Sequence, residues 1–440
     1  MSFKFSLDDL VRMEIRHLER RGARIPTAFR SAVKKAGDDH GKLMAIYRRL
    51  CRLPRARRPY FSQSALGAIL RARPRYKGAR LRRAGRGRIA DRIAGGWYGR
   101  AAGCILGKPL ECGLTLEDIR KHLGRDFPIT NYLRYAVARK VCLLRKPKLH
   151  PGITRPCSRE HLKYAMEDDD LNYTLLNLIL LESKGRGFAT ADVGEVWASH
   201  LPPGCTWGAE TTAFVNFLSG LPLAEVPVHL NPFREEIGAQ IRADTFGYVC
   251  PADPEGAAAM AYRDAVFSHV SEGIYGSMLF AAAIAAAFGM DKASRALDAG
   301  LAQIPENCRT AALVRQTRAW HARGLAWEEV YARIKGETPD LHAGSTENNA
   351  AYVANALLAG GGDFGQTIAI AVMQGHDTDC NGATAGSLMG VLLGRRRLPA
   401  KWIAPLADRI HTSLRGHADC RISDLVKRTV RFAMGRSGRR

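Results

Sequence analysis

The segment GHDTDCNGATAGSLMGVLLG, residues 375–394, decides the fold. Asp377 and Asp379 precede a run with glycine at every fourth position, at 382, 386, 390 and 394. Residues spaced by four lie close to one edge of an α-helix, so this helix has an edge without side chains. Each glycine inside a helix costs about 0.5–1 kcal/mol relative to alanine. That cost favours a buried helix whose bare edge another helix approaches closely.

A second stretch, RIADRIAGGWYGRAAGCILGKPLE (88–111), has the same glycine spacing, at 95, 99, 103 and 107. Further apolar patterns with helical periodicity occur at 171–183, 208–220, 257–270, 276–288 and 347–361. Alternating patterns typical of strands are almost absent. We therefore expect an all-α body, a compact multi-helix bundle over residues 89–435, with an insertion of loops and short helices at about 112–160.

The chain of 440 residues is long enough for a large core, and its basic residues are concentrated at one end. Residues 1–88 carry 25 Lys and Arg against 6 Asp and Glu, whereas the remainder is nearly neutral. The longest apolar run, 278–290, is too short to span a bilayer, so no membrane association is expected. The ten cysteines form no CxxC pair, and the first residues lack an uninterrupted apolar core. These features favour a cytoplasmic protein with free thiols.

The basic N-terminal extension, residues 1–88, contains helical patterns at 7–22 and 27–52, followed by an Arg/Pro/Gly-rich arm at 54–88. Two interpretations stay open. The extension is either a solvated, partly disordered segment or a region that binds nucleic acid or another polyanion. In the second case its arginines would pair with phosphates, and the interleaved Tyr60, Phe61 and Tyr76 would stack on bases.

Four consecutive acids, Glu167 to Asp170, precede the apolar helix predicted at 171–183. Carboxylates in a first helical turn are each favoured by a few tenths of a kcal/mol, so a surface capping cluster is one explanation. If this helix packs beside the one that follows Asp377 and Asp379, however, the carboxylates would converge. Such a cluster requires cations or protonated groups. Oxygen ligands without a His/Cys set point to Mg²⁺, with Mn²⁺ as the alternative.

Three blocks in this order resemble the ADP-ribosylglycohydrolase family, the ADP-ribosylhydrolases of the dinitrogenase-reductase-activating type. GCILGKPLE, which ends at Glu111, is similar to their Gly-rich opening. Residues 167–170 are similar to their Thr-Asp-Asp-Thr motif, and residues 377–380 to their Asp-Thr-Asp-Thr motif. The stretch RADTFGYVCPADPEGAAAMAYRDAVFSHVSEGIYG, residues 242–276, resembles the central segment of these enzymes, with its Asp-Ala and Ser/Thr-His elements at Asp264 and His269. The resemblance spans roughly residues 89–400.

This resemblance implies an all-α, Mg²⁺-dependent hydrolase with two metal ions that cleaves a ribosyl C1 bond of an ADP-ribosylated protein, nucleic acid or small molecule. It implies catalytic roles for three acids, Glu111, Asp169 and Asp379. It implies five metal ligands: Glu167, Asp168, Asp169, Asp377 and Asp379. It implies six substrate contacts: Gly107, His269, Gly276, His376, Cys380 and Asn381.

The chain departs from the family pattern at several positions. Cys104 stands where many members have aspartate, and Glu167, Asp170 and Cys380 replace threonines. The alternative to an active hydrolase is therefore a catalytically altered or inactive relative. Such a protein would bind ADP-ribose-like ligands, or bind nucleic acid through its basic arm.

Overall fold

The computed structural model describes residues 5–53, 60–76, 84–111, 113–145 and 150–435. The first helices are α1 (Leu7–Arg20), α2 (Thr27–Ala36), α3 (His40–Cys51), α4 (Leu66–Ala72), α5 (Arg86–Gly107), α6 (Leu116–Leu123), α7 (Tyr135–Arg145), α8 (His150–Thr154), α9 (Asp169–Lys184), α10 (Thr190–His200), α11 (Gly208–Leu218) and α12 (Gly238–Ile241). They are followed by α13 (Asp244–Tyr248), α14 (Pro254–Ala265), α15 (Glu272–Ala287), α16 (Ala293–Leu301), α17 (Arg309–Ala322), α18 (Trp327–Glu337), α19 (Thr346–Ala359), α20 (Phe364–Met373), α21 (Thr378–Leu393), α22 (Ala400–Ile403) and α23 (Ile422–Met434).

Strands are a minor feature of the described chain. Two three-residue strands, β1 (Arg409–His411) and β2 (Asp419–Arg421), pair antiparallel with Ile410 opposite Cys420. Short 3₁₀ helices occur at Lys108–Leu110, Gly124–Asp126, Pro203–Cys205, Arg395–Arg397 and Ala404–Leu406. The expected all-α fold is confirmed. Among the described residues, no helix is long and apolar enough to cross a membrane.

The two glycine edges pack against each other. Gly95, Gly99 and Gly103 of α5 face the backbone of Gly390, Gly386 and Gly382 of α21, in antiparallel order. A Cβ added at any of these six positions would lie closer than 3.0 Å to a facing backbone atom. The predicted close approach is thus confirmed, and its partner is specified. The glycine edge of α21 packs against α5 and not against α9.

Helix α15 lies at the centre of the main core. Every residue from Glu272 to Ala287 is buried, and most of them are small, so neighbouring helices approach on all sides. Its one charged residue, Glu272, accepts hydrogen bonds from the backbone N–H of Arg309 and from the backbone and hydroxyl of Thr310 at the start of α17. A helix that is apolar all round is typical of the interior of a large domain.

The N-terminal extension folds into helices with a small core of its own. Val11 and Ile15 of α1 meet Val33 of α2 and Leu43 and Leu50 of α3, forming a cluster separate from the main core. The predicted helices are confirmed, and their packing contradicts the interpretation of a solvated, partly disordered segment for residues 7–51.

The segment 60–66 of the predicted arm also lies on the body. The N–H of Phe61 donates to the carbonyl of Asn307 at 2.6 Å, and the hydroxyl of Tyr262 donates to the carbonyl of Ser64 at 3.0 Å. The ring of Phe61 packs against the main core, with its centroid 6.1 Å from that of Tyr275. Phe61 is therefore a packing residue and unavailable for stacking on a base. Farther along the predicted arm, α4 and the start of α5 are helical, while residues 54–59 and 77–83 lie outside the described part of the chain.

Candidate metal-binding active site

The first turns of α9 and α21 meet at the end of α5. Asp168 caps α9, and its carboxylate accepts a hydrogen bond from the N–H of Asp170 at 2.9 Å. The hydroxyl of Thr378, the first residue of α21, donates to the carbonyl of Gly107 at 2.8 Å. Because the glycine edges fix α21 on α5, the acids that begin α21 reach those that begin α9.

Two overlapping groups of buried side chains have the geometry of a cation site. The potential ligand atoms of Cys104, Asp168 and Asp170 all lie within 4.8 Å of one another, as do those of Asp170, Asp379 and Cys380. We call these the first group and the second group. Asp170 belongs to both, so the two positions are adjacent. The structure brings acids of the two sequence blocks together, but it does so through Asp170, which was not among the predicted ligands, whereas the predicted ligands Asp169 and Asp377 are in neither group.

A fully buried arginine holds Asp170 in place. Arg100 of α5 donates to the Asp170 carboxylate at 2.7 Å and to its backbone carbonyl, and it also reaches Asp244 at 2.9 Å. Burial is the largest influence on both carboxylates, and it raises the pKa of Asp170 well above its usual range even beside Arg100. The same cause, weaker in effect, raises the pKa of Asp244.

A buried lysine pairs with Asp168. Burial alone would lower the pKa of Lys108, but the carboxylates around it, Asp168 first, hold that pKa well above the ordinary value. Burial would likewise raise the pKa of Asp168, yet the ion pair with Lys108 brings it below the usual range. The pair is therefore charged on both sides.

The remaining acids of the cluster lie so close to one another that ionising all of them would leave an excess of negative charge. Burial, reinforced by neighbouring carboxylates, raises the pKa of Asp169 and Asp379 well above the usual range. Burial also raises the pKa of Asp377 to about 6. Without a cation, the cluster is relieved by retaining protons.

Several buried oxygens at this site have no hydrogen-bond partner. They are Oδ2 of Asp170, Oδ1 of Asp379 and Oδ1 of Asn381. An unpaired buried carboxylate oxygen is costly, and a bound cation would satisfy it. Carboxylate and amide oxygens are the ligands of a hard divalent ion such as Mg²⁺. The residues present fit such an ion at the second group, with the thiol of Cys380 as the poor member.

The predicted catalytic residue Glu111 lies at the edge of the cluster. It follows the 3₁₀ turn Lys108–Leu110 and is half-buried. Its charge acts on Asp169, Asp377 and Asp379, raising the pKa of each. Asp169 and Asp377 are half-buried, and they directly precede Asp170 and Thr378.

Glu167, predicted as a metal ligand, forms hydrogen bonds with residues outside the two groups. Its Oε1 accepts hydrogen bonds from Nδ2 of Asn172 at 2.9 Å and from the hydroxyl of Ser413 at 2.8 Å. Asn172 lies on α9, and Ser413 lies between β1 and β2 in the C-terminal segment. The structure therefore gives Glu167 a bridging role between these segments, and it belongs to neither group.

Three predicted substrate contacts follow or precede the α21 acids. His376 has a left-handed backbone (φ 62°), and its ring stacks on Tyr352 at 4.7 Å with Nε2 unpartnered. Burial lowers the pKa of His376 to about 4, so the imidazole is neutral. Asn381 donates to Oδ1 of Asn349 at 2.8 Å. Cys380 is buried, and burial raises the pKa of its thiol.

Two predicted substrate contacts belong to a neighbouring network. His269 lies 2.8 Å from the hydroxyl of Ser268, which Arg242 also contacts, and Arg242 pairs with Glu210 at 2.8 Å. A Cβ on Gly276 would meet Thr346 and Gln240. Among the contacts of the described residues, none joins His269 or Gly276 to the two groups.

Sequence reasoning missed Arg100 and Lys108. Arg100 is the one cation between Gly95 and Gly107, a stretch of α5 in which every residue is buried, and Lys108 follows directly. A cation inside such a helix needs a carboxylate partner, because an unpaired buried charge is prohibitively costly. That signal was present in the stretch 95–108.

The fold and the site together define a class of protein: an all-α body in which three helix ends gather carboxylates into a buried site suited to a divalent cation. A family model, "ADP-ribosylglycohydrolase", matches residues 86–433. The chain belongs to the ADP-ribosylglycohydrolase family, as its motifs predicted.

A solved structure supports the same fold. A chain from an "ADP-ribosylglycohydrolase-related protein complex" aligns with a TM-score of 0.51 and 19% identity, over 79% of this chain and 100% of that chain. At that identity the likeness concerns the fold alone. No curated protein sequence matches significantly.

Proposed function

We propose that this protein is a Mg²⁺-dependent hydrolase that cleaves the ribosyl C1 bond of an ADP-ribosylated substrate. The observation that carries the proposal is the convergence of Asp168, Asp170 and Asp379 with unpaired buried oxygens. Membership in a glycohydrolase family supports the reaction class. When bound, Mg²⁺ would supply Lewis-acid polarisation of a ribose or water oxygen. Mn²⁺ is the alternative metal.

The roles of the chain's own residues follow from their surroundings. Cleavage at C1 proceeds through an oxocarbenium-like transition state, which nearby carboxylates stabilise. We assign Glu111 to orient the substrate ribose at the half-buried edge. Asp169 or Asp379, once ionised, would accept the proton of the attacking water. The carboxylates of Asp170 and Asp379 would hold the cation, with Asp377 as a further ligand and Asp168, paired with Lys108, beside it.

The neutral His376 and the backbone at Gly107 border this edge, so we assign them to the substrate. A Cβ on Gly107 would overlap the carbonyl of Thr378, and only glycine leaves the approach to α21 open. Cys380 and Asn381 follow the metal-binding acids on α21, and we assign them to the floor beneath the ribose.

Calorimetric titration tests this function. ADP-ribose is titrated into the wild-type protein with Mg²⁺, then with EDTA, and into Asp377→Ala. Binding that requires both Mg²⁺ and Asp377 is expected, since Asp377 directly precedes α21, whose first turn carries Asp379 of the second group. The exposed Asp291→Ala is the matched control and should bind as the wild type does. Binding that survives EDTA and Asp377→Ala would point to the inactive-relative alternative, and no binding at all would contradict the assignment.

A second function, nucleic-acid binding by the N-terminal extension, is favoured by one observation. A cleft between α1 and α2 is lined by Arg12, Arg16, Arg30 and Lys34. Arg12 and Arg30 pair with Asp8 and Glu19, whereas the exposed Arg16 and Arg20 form no salt bridge with a described residue.

Arg12, Arg16 and Arg20 are spaced by four along α1, so they form one stripe with a rise of about 6 Å per step. The stripe begins at the basic cleft and ends at Arg20. Arg20 lines a narrow cleft together with Glu236 and Ser345. Asn349, which bonds the carbonyl of Ser345 at 2.8 Å, also bonds Asn381 beside the metal-binding acids. We infer that a polyanionic substrate would follow this stripe toward the site.

Fluorescence anisotropy with a labelled single-stranded oligonucleotide tests the second function. The double variant Arg16→Glu/Arg20→Glu should weaken binding at least tenfold at low salt and flatten the salt dependence, because each lost phosphate contact removes about 0.7 from the slope. Arg323→Glu/Arg333→Glu makes the same charge change on exposed positions of the body. Equal losses in both double variants would show that net charge alone is responsible.

A further inference from the structure

Lys108 places its ammonium group inside the carboxylate cluster, where a metal ion would otherwise be expected. Its ammonium contacts Oδ2 of Asp168, a residue of the first group. The lysine side chain is 10% exposed and that of Asp168 is 1% exposed. The ion pair is thus buried within the protein and is not a surface salt bridge.

The ammonium also lies in the field of the other acids of the site. Besides Asp168, the charges of Asp379 and Glu111 and the thiol of Cys104 act on Lys108. An ammonium offers one positive charge and three N–H donors to surrounding oxygens. The ammonium of Lys108 therefore neutralises part of the negative charge of the carboxylates, as a metal ion would.

The two groups differ in how many of their carboxylate oxygens lack a hydrogen-bond or ion-pair partner. In the first group Asp168 is paired with Lys108, and its Oδ1 accepts the N–H of Asp170. In the second group Asp379 keeps Oδ1 unpartnered, and Asp170 keeps Oδ2 unpartnered while Arg100 holds Oδ1. The first group therefore has one unsatisfied carboxylate oxygen, Oδ2 of Asp170, which it shares with the second group, whereas the second group has that oxygen and Oδ1 of Asp379.

We propose that Lys108 is a built-in cation that fills the first of the two positions, so that the chain binds one divalent ion, at the second group. This inference rests on the proposed function, because it assumes that the cluster holds metal. It revises the two-ion stoichiometry that the sequence motifs imply. The amine tether also fixes Asp168 toward α5, which leaves Asp379 and its neighbours as the ligand set.

Metal stoichiometry tests the proposal without any activity measurement. Mn²⁺ bound per chain is counted by electron paramagnetic resonance of free Mn²⁺ and by equilibrium dialysis with elemental analysis. The wild type should bind one ion, and Lys108→Met should bind two, since methionine keeps the length of the side chain without its charge. Lys108→Gln is the second variant in case the first folds poorly, and thermal melting verifies both.

Two further variants locate the ion. Asp379→Asn should bind none, whereas Lys184→Met removes a lysine that pairs with surface acids and should still bind one. Two ions in the wild type, or a single ion in both Lys108 variants, would overturn the proposal while leaving the metal-dependent function intact. No ion in the wild type would instead refute the proposed function at its metal site.

Discussion

Glu347 at the start of α19 is a buried carboxylate outside the metal site. Its side chain lies beside Glu272, and burial, reinforced by Glu272, raises its pKa to about 7. Arg21, which directly follows α1, and Arg309 of α17 act in the opposite direction without restoring the ordinary pKa. Because this carboxyl group has a higher pKa in the folded chain than in the unfolded chain, its ionisation makes the stability of the fold depend on pH.

The substitution Glu347→Gln should make stability less dependent on pH. The folded pKa is raised, so the contribution of Glu347 is fully present below pH 4.5 and is lost as the pH rises through about 7. Glutamine cannot ionise, and relative to the wild type the variant should gain up to about 3 kcal/mol between pH 4.5 and 8. Urea unfolding at several pH values measures this difference, with the exposed Glu255→Gln as control. A gain of equal size at every pH would contradict the titration.

At the scale of elements, the α5–α21 crossing sets the architecture of the site. The facing glycines allow the two backbones to touch, and every α21 residue from Thr378 to Leu392 is buried. The loss of helix propensity at these glycines is offset by close packing of the two helices. The crossing also carries Asp379 to Asp170, so the same residues serve stability and the proposed chemistry.

Gly386→Ala should destabilise the protein by about 3 kcal/mol or more, because its Cβ would overlap the carbonyl of Gly99 and a backbone cannot yield as a side chain can. Gly87→Ala, at an open position in the first turn of α5, is the matched control and should change stability by at most about 1 kcal/mol in the favourable direction. Chemical denaturation of the two variants gives the comparison. Similar stabilities would show that the crossing adjusts more easily than its geometry indicates.

At the scale of the whole molecule, the helices α1–α3, called here the N-terminal unit, contact the body through a buried ion pair and a hydrogen bond, among other interactions. Arg234 donates to both carboxylate oxygens of Glu14, at 2.7 and 2.8 Å, and Glu14 is 3% exposed. Tyr47 accepts a hydrogen bond from the N–H of Leu230 at 2.8 Å. Because these helices have a core of their own, we predict that the unit can separate from the body without unfolding it.

Arg234→Met should loosen the docking of α1–α3 while the body stays folded. The change leaves Glu14 buried without its cation, which typically costs about 3–5 kcal/mol. Hydrogen exchange should accelerate in peptides at the α1 interface but remain slow in α15. Arg30→Met, which breaks the exposed pair with Glu19 in the same unit, should leave the exchange pattern unchanged. Faster exchange throughout the body would show that the unit and the body unfold together.

The sequence predicted the class of fold and the two elements that build the site. The glycine periodicity at 95–107 and 382–394 indicated close helix packing, and the acids at 167–170 and 377–379 indicated a cluster. Both inferences depend on local spacing, which the helix repeat converts directly into shared faces. The basic extension was evident in composition, but its packing on the body was not.

The sequence by itself determined that this chain is all-α, that glycine-edged helices pack closely and that its acids precede core helices. Only the tertiary structure decided which helices meet, that Asp170 joins the cluster under the hold of Arg100, that Glu167 turns to Ser413 and that Lys108 reaches Asp168. The physical reason is range. Helix periodicity acts over a few residues, whereas the partner of a buried charge is fixed by packing between segments distant in the chain.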